Sequence, residues 1–571
     1  MFALEFIFYL IVLIMTNKLS NKEIAKAFSE LAKLMELHNE NPFKIKSYSN
    51  AYLNLRKQPD ALSEMTIEEI DSVPGIGAAI AGKIQELLLN GKMNTLEKYR
   101  EMTPEGVREM LEVNGLGPKK VEAIWKKLEI SSVGELLYAC NENRLVELSG
   151  FGAKTQAEVK ARIEFYYNAT GKLLFVNAIK LVKPILDSLA KAAPGGSFEL
   201  TGDLRRTMPV IEKIEILYNQ IVNPIELFSS FGEIVNSDKQ YYEVKTESDV
   251  HIFFIPSKDD NYGVDMLVST GPQAFIEQLS LNKSLDIKNE YSSELAIFKR
   301  AGLPEIPAEL RDNDAVVNTW VDTGKLPDLI NLKDIKGVLH NHSTWSDGIN
   351  TLEEMAEYVK ANGFAYFGIT DHSKSAFYAN GLSIDRIYMQ MEEIDKINRK
   401  YTDFKIYKGI ESDILNDGSL DYPDEVLAIF DFIIASVHSN LNMDMKKATT
   451  RILKAIENPY TRILGHPTGR LLLSRKGYPL DHKLIIDACA ENKVVIELNA
   501  NPYRLDIDWT WIPYAMERGV LISINPDAHN KNGIMDIEYG VLAARKGGLT
   551  REFCLNAKDS DEFKVWISKK S

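Results

Sequence analysis

Residues 336–348, KGVLHNHSTWSDG, decide the architecture of the C-terminal half. A short apolar run ends in His340 and His342, two positions apart and therefore on one side of an extended chain, and Asp347 follows after a polar turn. The same arrangement recurs downstream. YFGITDHS puts His372 behind an apolar run, YKGIESDIL supplies Glu411, FIIASVHS His438, TRILGHP His466, and LISINPDAH Asp527 and His529. Each run is short, apolar and bounded by turn residues, which predicts a buried parallel strand. From Asp334 onward such runs alternate with helical patterns, the signature of an α/β architecture. Donors behind successive parallel strands gather at the C-terminal rim of a (β/α) barrel, the face on which barrel enzymes assemble their chemistry. The chain has nine histidines, and six of them stand in these motifs. Imidazole and carboxylate without cysteine suit zinc, manganese or iron. Burying so many polar groups without a metal is costly, so a purely structural role is disfavoured.

At 571 residues the chain is long enough for several domains. Its 45% hydrophobic and 26% charged residues are ordinary for a globular protein. The net charge of −14 is uneven: residues 16–168 are roughly neutral and hold basic runs such as KIKSYSNAYLNLRK at 44–57. Local patches govern phosphate contact, so the acidic total is a weak argument against nucleic acid. Cys140, Cys489 and Cys554 are widely separated and form no CxxC pair, which predicts a reducing cytoplasm without structural disulfides. Residues 1–15, MFALEFIFYLIVLIM, are apolar but shorter than the roughly 20 residues of a membrane span. They lack a basic leader and a cleavage site. They read as a mis-assigned start or leader ahead of Met15, with a membrane anchor as the alternative, and a monomer away from membranes is expected.

Residues 16–170 read as all-helical from the spacing of apolar positions in IAKAFSELAKLMEL and VREMLEVNGLGPKKVEAIWKKL. Three segments share a pattern: VPGIGAAIAGKI at 73–84, VNGLGPKKVEAI at 113–124 and LSGFGAKTQAEV at 148–159. In each, an apolar residue precedes Gly-x-Gly and a helix start, giving the pairs Gly75 and Gly77, Gly115 and Gly117, and Gly150 and Gly152. Glycine permits positive φ and close backbone approach, and the helix start offers free N–H groups to a phosphate. One copy reads equally well as a plain glycine-capped corner. Three copies favour contact with a DNA backbone, without readout of its sequence.

Residues 170–255 are mixed, with strand-like KIEILY and DVHIFFI, and 262–315 read as helical and then loop-rich. Here the chain resembles the bacterial and archaeal family X DNA polymerases that carry a C-terminal PHP (polymerase and histidinol phosphatase) domain. The resemblance runs from about Met15 to the C-terminus on LMELHNENPFKIKSYSNAY, VPGIGAAIAGKI, GLPEIPAELR, LHNHSTWSDG, HPTGRLL, NANPYRLD and DAH. It implies three kinds of structure: an all-α helix-hairpin-helix N-terminal region, an α+β nucleotidyltransferase-like palm, and an α/β PHP domain forming a distorted (β/α)7 barrel. The expected domains are 15–88 (an 8-kDa-like helical DNA-binding domain), 89–168 (a fingers-like domain), 169–315 (palm and thumb), 316–333 (a linker rich in Pro and Gly) and 334–571 (PHP). A monovalent cation at the helix-hairpin-helix turns is part of the same implication.

The palm signature departs from that family. It expects Gly-Ser-x-Arg-Arg followed by Asp-x-Asp, and this chain reads TGDLRRTMPVIEKIEIL. Asp203 replaces the serine that faces the triphosphate, Lys213 and Glu215 occupy the Asp-x-Asp positions, and His251 falls at the third aspartate. Two-metal nucleotidyl transfer needs clustered carboxylates. An ammonium at Lys213 repels the cations, and Asp203 meets the polyphosphate with the wrong sign. Loss of polymerase activity is therefore expected. A shifted pair of Glu212 and Glu215 would be three apart on a strand and would face opposite sides.

In the PHP domain the resemblance implies three divalent ions (Mn²⁺, Zn²⁺ or Fe²⁺) held by His340, His342, Asp347, His372, Glu411, His438, His466, Asp527 and His529. Glu411, Asp527 and His340 are the expected catalytic positions, with Glu411 between two metals. Asp371 and Asp413 are expected to orient ligands. Arg470 and Arg504 are read equally as phosphate clamps or as ion pairs at the barrel edge, and His38, His251 and His482 as ordinary structural residues. A deoxyribose-phosphate lyase lysine is conceivable among Lys44, Lys46 and Lys57, with no basis for choosing one. The implied activity is metal-dependent hydrolysis of DNA at gaps, nicks or 3′ ends: a 3′→5′ exonuclease, with AP endonuclease or 3′-phosphatase as related options. The alternatives are a gap-filling polymerase with altered ligands, a non-catalytic DNA-end scaffold, or a small-molecule phosphatase in the barrel alone.

Overall fold

The computed structural model describes residues 19–569 except 59, 114, 149, 169, 170, 222, 239 and 284–288. The apolar leader and Met15 lie outside the described residues. The described chain divides into two compact units: residues up to Leu137 with Leu145–Ile163, and Tyr138–Arg144 with Glu164 onward.

The first unit is helical. Ser20 caps the helix Asn21–Leu37 in a reciprocal box with Glu23. The buried face of that helix (Phe28, Leu31, Met35) packs on Tyr48, Ala51 and Leu55 of Pro42–Leu55. The leading glycine of each Gly-x-Gly turn takes positive φ: 82° at Gly75, 85° at Gly115 and 89° at Gly150. The positive φ at Gly115 favours glycine there, whereas the exposed Arg162 guanidinium that a side chain would meet is the end of a flexible arm. Gly77 and Gly117 are the N-caps of Ala78–Asn90 and Pro118–Leu128.

The second unit holds a five-stranded and a seven-stranded sheet, besides a two-stranded ladder of Leu173–Leu174 with Val210–Ile211. The strands β1 (Phe198–Thr201), β2 (Ile214–Tyr218), β3 (Glu233–Ser237), β4 (Tyr242–Lys245) and β5 (His251–Pro256) form the five-stranded sheet, in the order β1-β2-β5-β4-β3. Only β2 and β5 run parallel. Ile216, Ile252 and Phe254 are buried on one face beneath Phe228. The alternation of side chains therefore puts Glu215, His251 and Phe253 on the other face.

The strands β6 (Gly337–Val338), β7 (Tyr366–Ile369), β8 (Lys405–Asp413), β9 (Phe432–Ser436), β10 (Thr461–Leu464), β11 (Val495–Asn499) and β12 (Ile522–Asn525) form the seven-stranded sheet. They lie in sequence order and every pair is parallel. A parallel bridge from Asn341 to Ala528 links the chain just beyond the first and last strands, which nearly closes the barrel. All six of the strands expected from apolar runs are present, and the seventh is β11 at VIELN, whose run is broken by a glutamate.

The stretch expected as a linker at 316–333 is not one. Residues Asp314–Thr323 form a helix capped by the Asn313 side chain. Its Trp320 is fully buried against Phe275 and Phe298, with its indole N–H donating to the Pro304 carbonyl at 3.1 Å. The Pro and Gly around it drew attention away from the apolar spacing of Val317, Trp320 and Val321. The palm-like sheet, this helical layer and the barrel form one unit. The fully buried Lys546 ammonium donates to Asp312 Oδ2 at 2.5 Å and to the Arg206 carbonyl at 3.1 Å, and Arg545 pairs with Glu309 at 2.7 Å.

Candidate metal centre

Six of the seven barrel strands deliver donors at or just beyond their C-terminal ends. His340 and His342 follow β6, His372 follows β7, Glu411 ends β8, His438 and His466 follow β9 and β10, and Asp527 and His529 follow β12. Asp527 (φ 53°) and His466 (φ 20°) hold positive φ, which β-carbon-bearing residues rarely adopt. Such strain clusters at functional sites, where the surrounding structure enforces it. All nine side chains converge and all are buried or nearly so.

Glu411 is central. Its two oxygens lie 2.9 Å from His466 Nε2, 3.1 Å from His438 Nε2, 2.9 Å from His372 Nδ1, 3.3 Å from His340 Nε2 and 3.7 Å from His342 Nε2. Asp527 Oδ1 is 3.1 Å from His342 Nε2, and Asp347 Oδ2 is 3.5 Å from His529 Nε2 and 3.6 Å from His372 Nε2. Three groups are tight enough to share an ion: His342, Asp347, His372 and His529; His340, His342 and Asp527; and His372, Glu411 and His438. His340 Nε2, His342 Nδ1, Asp347 Oδ2, Glu411 Oε2, His466 Nδ1 and His529 Nε2 are buried and make no hydrogen bond. Polar atoms are seldom left so. Donors of this type, orphaned together, fit divalent cations.

Charge tells the same story. Burial opposes protonation of His340, but Glu497, Asp527 and Glu411 outweigh it and raise its pKa well above the usual range. Burial likewise opposes charge on His438 and His529. Glu411 and Asp413 nonetheless lift His438 to about 10, and Asp347 and Glu142 lift His529 to about 10. His342 is held down to about 3 by burial and by its neighbours His529 and His372. The carboxylates thus draw positive charge into the cluster, a demand that metal cations meet equally well.

Around the nine lie residues that aim them. Asp413 Oδ1 takes His438 Nδ1 at 2.5 Å. Asp371 accepts from the Ser343 and Ser346 backbones at 2.8 and 3.1 Å and so fixes the loop bearing Asp347. Glu497 went unread in the sequence. It is fully buried, bonds His340 Nδ1 at 2.7 Å and the His466 N–H at 3.1 Å, and accepts from Asn525 at 2.9 Å. A glutamate inside the apolar run VVIELN was the available signal.

Tyr138, Glu142 and Arg144 carried no signal at all. The Tyr138 hydroxyl is 3.4 Å from Asp527 Oδ2, and the Arg504 guanidinium lies 4.4 Å from the Tyr138 ring. The Arg144 guanidinium lies 4.2 Å from the Tyr378 ring. Burial pushes the Glu142 carboxyl up to about 7 against the pull of His529 and Arg504.

Of the two arginines, Arg470 is engaged at the barrel edge. Its guanidinium bonds Asp508, the Arg504 carbonyl at 3.0 Å and the Leu505 carbonyl. The ion-pair arrangement is the one found for it. Arg504 is buried, with Nε unpartnered. The three outlying histidines have ordinary partners: His38 with Thr103 at 2.8 Å, His251 with Glu243 at 2.6 Å, and His482 stacked on Trp511 at 4.6 Å. Lys44, Lys46 and Lys57 are all exposed.

At the palm-like positions, Asp203 is held by the Arg206 guanidinium at 2.6 Å, and Arg205 bonds Glu294 at 2.5 Å. Lys213 lies 5.8 Å from the Phe253 ring. Glu212 is exposed and bound to Lys172 at 2.7 Å, whereas burial raises the pKa of Glu215.

A nearly closed parallel barrel with imidazole and carboxylate donors on one rim places the C-terminal part in the class of PHP domains, and residues 339–501 match the family described as PHP domain. It is a divalent-metal site by class and by donor set. Residues 19–93 match a helix-hairpin-helix domain and 107–163 a SAM-like helix-hairpin-helix tandem. The chain is 33% identical over 572 aligned positions to the DNA polymerase/3′-5′ exonuclease PolX of Bacillus subtilis (strain 168), covering 96% of this chain and 99% of that protein. The barrel region is also 28% identical to a probable phosphatase of Thermoanaerobacter sp. (strain X514), over 41% of this chain and 96% of that protein. A probable phosphatase of Vibrio atlanticus (strain LGP32) is 28% identical over 34% of this chain and 79% of its own length. The chain belongs to the PolX-type family X DNA polymerases that carry a PHP domain.

Proposed function

We propose that this protein hydrolyses DNA phosphodiesters at the PHP centre, removing nucleotides from 3′ ends, and that its palm no longer transfers nucleotides. The observation that carries the reading is the contrast between two sites. Nine donors, most of them with a buried polar atom that makes no hydrogen bond, meet at the barrel rim, while the palm offers Lys213, Glu215, His251 and Phe253 where carboxylates are needed. The exonuclease named for the Bacillus subtilis relative supports the same activity here.

In this reading the nine residues, with Glu411 central among them, would hold three divalent ions, manganese, zinc or iron. Such ions supply an acidified water and positive charge beside a phosphate. The chain's own residues do the rest. Glu497 and Asp413 fix the tautomers of His340 and His438. Arg504, buried with a free Nε, is placed to bind a phosphate oxygen. The Gly-x-Gly helix starts grip the DNA backbone, with a monovalent cation at the turns. The second glycines face open space, since a side chain at Gly77, Gly117 or Gly152 would meet nothing within 4 Å. DNA with gaps, nicks or free 3′ ends is the partner, and the setting is repair in the cytoplasm by a monomer. All three cysteines are buried and none forms a disulfide, and among the described residues no helix is long and apolar enough to cross a membrane.

The test is an end-labelled primer–template with Mn²⁺. The full chain shortens the primer from its 3′ end, and His340→Ala and Asp527→Ala abolish this. Shortening that survives both substitutions would refute the assignment. The probable-phosphatase names of the barrel's relatives favour one further activity, release of phosphate from a 3′-phosphorylated end, read with the same variants.

A further inference from the structure

Between β7 and the helix Ile384–Asn398, the turn 373–381 exposes Phe377 to 88%, more than any other large apolar side chain among the described residues. The backbone beneath it is pinned. The Lys374 N–H donates to the Tyr422 hydroxyl at 3.0 Å, and the Ser375 N–H and hydroxyl donate to Asp421 at 2.7 Å and Asp413 at 2.8 Å. The Gly381 N–H bonds the Ala376 carbonyl at 3.1 Å, and Ala376 and Ala379 are buried on either side. A large ring is thus held out into water on a stiff support.

The turn stands at the solvent-facing side of the metal centre. Of the nine donors, Asp347 (10%), His438 (8%) and His372 (6%) have the most exposed side chains. His372 immediately precedes the turn, the Tyr378 ring lies 6.1 Å from the His372 ring, and Asn380 Nδ2 reaches the Ser346 carbonyl beside Asp347 at 3.5 Å. Phe377 is five residues from His372, so their Cα atoms are separated by at most about 18 Å of extended chain, the reach of a few nucleotides. Lys374, exposed on the same turn, adds a cation suited to the intervening phosphates.

We propose that Phe377 is a stacking platform for one nucleobase of the strand whose 3′ end lies at the metal centre, and that it positions that strand for cutting. This rests on the reading of the centre as a DNA hydrolase. Every base presents a π-face, so one exposed, rigid ring can hold any sequence.

The experiment is a double-mutant cycle between ring and base. Single-stranded oligonucleotides with an abasic spacer at each of the four 3′-terminal positions in turn are compared with the unmodified strand, using the full chain with Mn²⁺. Phe377→Ala is expected to lower kcat/KM on the unmodified strand on the order of tenfold, mainly through KM. At one position the spacer is expected to cost the unsubstituted protein a similar factor and Phe377→Ala nothing further. Phe377→Trp restores the rate and Phe377→Leu does not. Additive losses at all four positions, or full rescue by leucine, would overturn the proposal. Equilibrium binding of the same strands is measured in parallel by fluorescence anisotropy. Ring–base coupling in binding by a protein that cuts none of them would refute the hydrolase reading and leave stacking standing.

Discussion

Glu215 on β2 pairs in register with Phe253 on β5, so the remaining acidic residue of the palm signature has an aromatic ring beside it where a second carboxylate would be needed. The neighbouring pair, Ile214 with Ile252, brings His251 alongside Lys213. Whether the third family aspartate is aligned to 251 or to 253, no carboxylate stands there. Two cations cannot be held by one half-buried glutamate beside an ammonium. A one-nucleotide gap with all four deoxynucleotides is therefore expected to show no extension in Mg²⁺ or Mn²⁺. Extension that is lost on Glu215→Ala would show that the site works with altered ligands.

Glu497 and Asp413 are expected to matter through the histidines they hold. Glu497→Gln replaces a carboxylate that accepts from His340, His466 and Asn525 with an amide that must turn its donors toward donors. Asp413→Asn does the same to His438. Orienting carboxylates of this kind change metal affinity by about 10–100-fold. Titration of chelator-treated protein with Mn²⁺ should show a loss of that size for each variant, with little change in folding. Unchanged affinity would make both residues packing elements only.

The clustered donors are legible because barrel topology converts a local pattern, apolar run then donor, into a shared rim. His340 and Asp527 are nearly 190 residues apart, yet each could be placed from its own ten neighbours. Glu497 was missed because its run reads as a plain strand with one polar break. Tyr138 and Glu142 were missed for a deeper reason. Tyr138 sits on the helix Val133–Asn141, whose own apolar spacing explains it locally, and Glu142 in the turn after it, and nothing near them in sequence points to Asp527. The 316–333 stretch failed differently. Pro and Gly at its edges mask the helical spacing of Val317, Trp320 and Val321, which tertiary burial enforces.

Removing metal should loosen the second unit. The nine donors crowd carboxylates and imidazoles into one buried volume, and a ligand that binds only the folded state stabilises it by mass action. A millimolar chelator is expected to lower the melting temperature by at least about 5 °C, and excess Mn²⁺ to restore it. His340→Ala should melt near the chelated value and respond weakly to either treatment. A melting curve indifferent to chelator would count against a metal role in folding.

Beneath the palm, Glu294 joins Arg205 at 2.5 Å and the buried Arg311 at 2.8 Å. Burial opposes its ionisation, but the hydrogen bonds and charges of the two guanidinium groups outweigh it and hold its pKa below the usual value. A carboxyl whose pKa is lower when folded binds fewer protons in the native state than in the unfolded one. Its contribution is therefore complete above the unfolded value of about 4.3 and is lost as pH falls below it. Glu294→Ala leaves Arg311 charged and buried without its partner, a defect worth about 3–5 kcal/mol. Urea titrations at pH 7 should show that loss. The gap between parent and variant should narrow progressively below about pH 4.3, as the parent's own carboxyl takes up its proton. A difference that stays constant from pH 7 to pH 3 would mean that Glu294 contributes shape rather than charge.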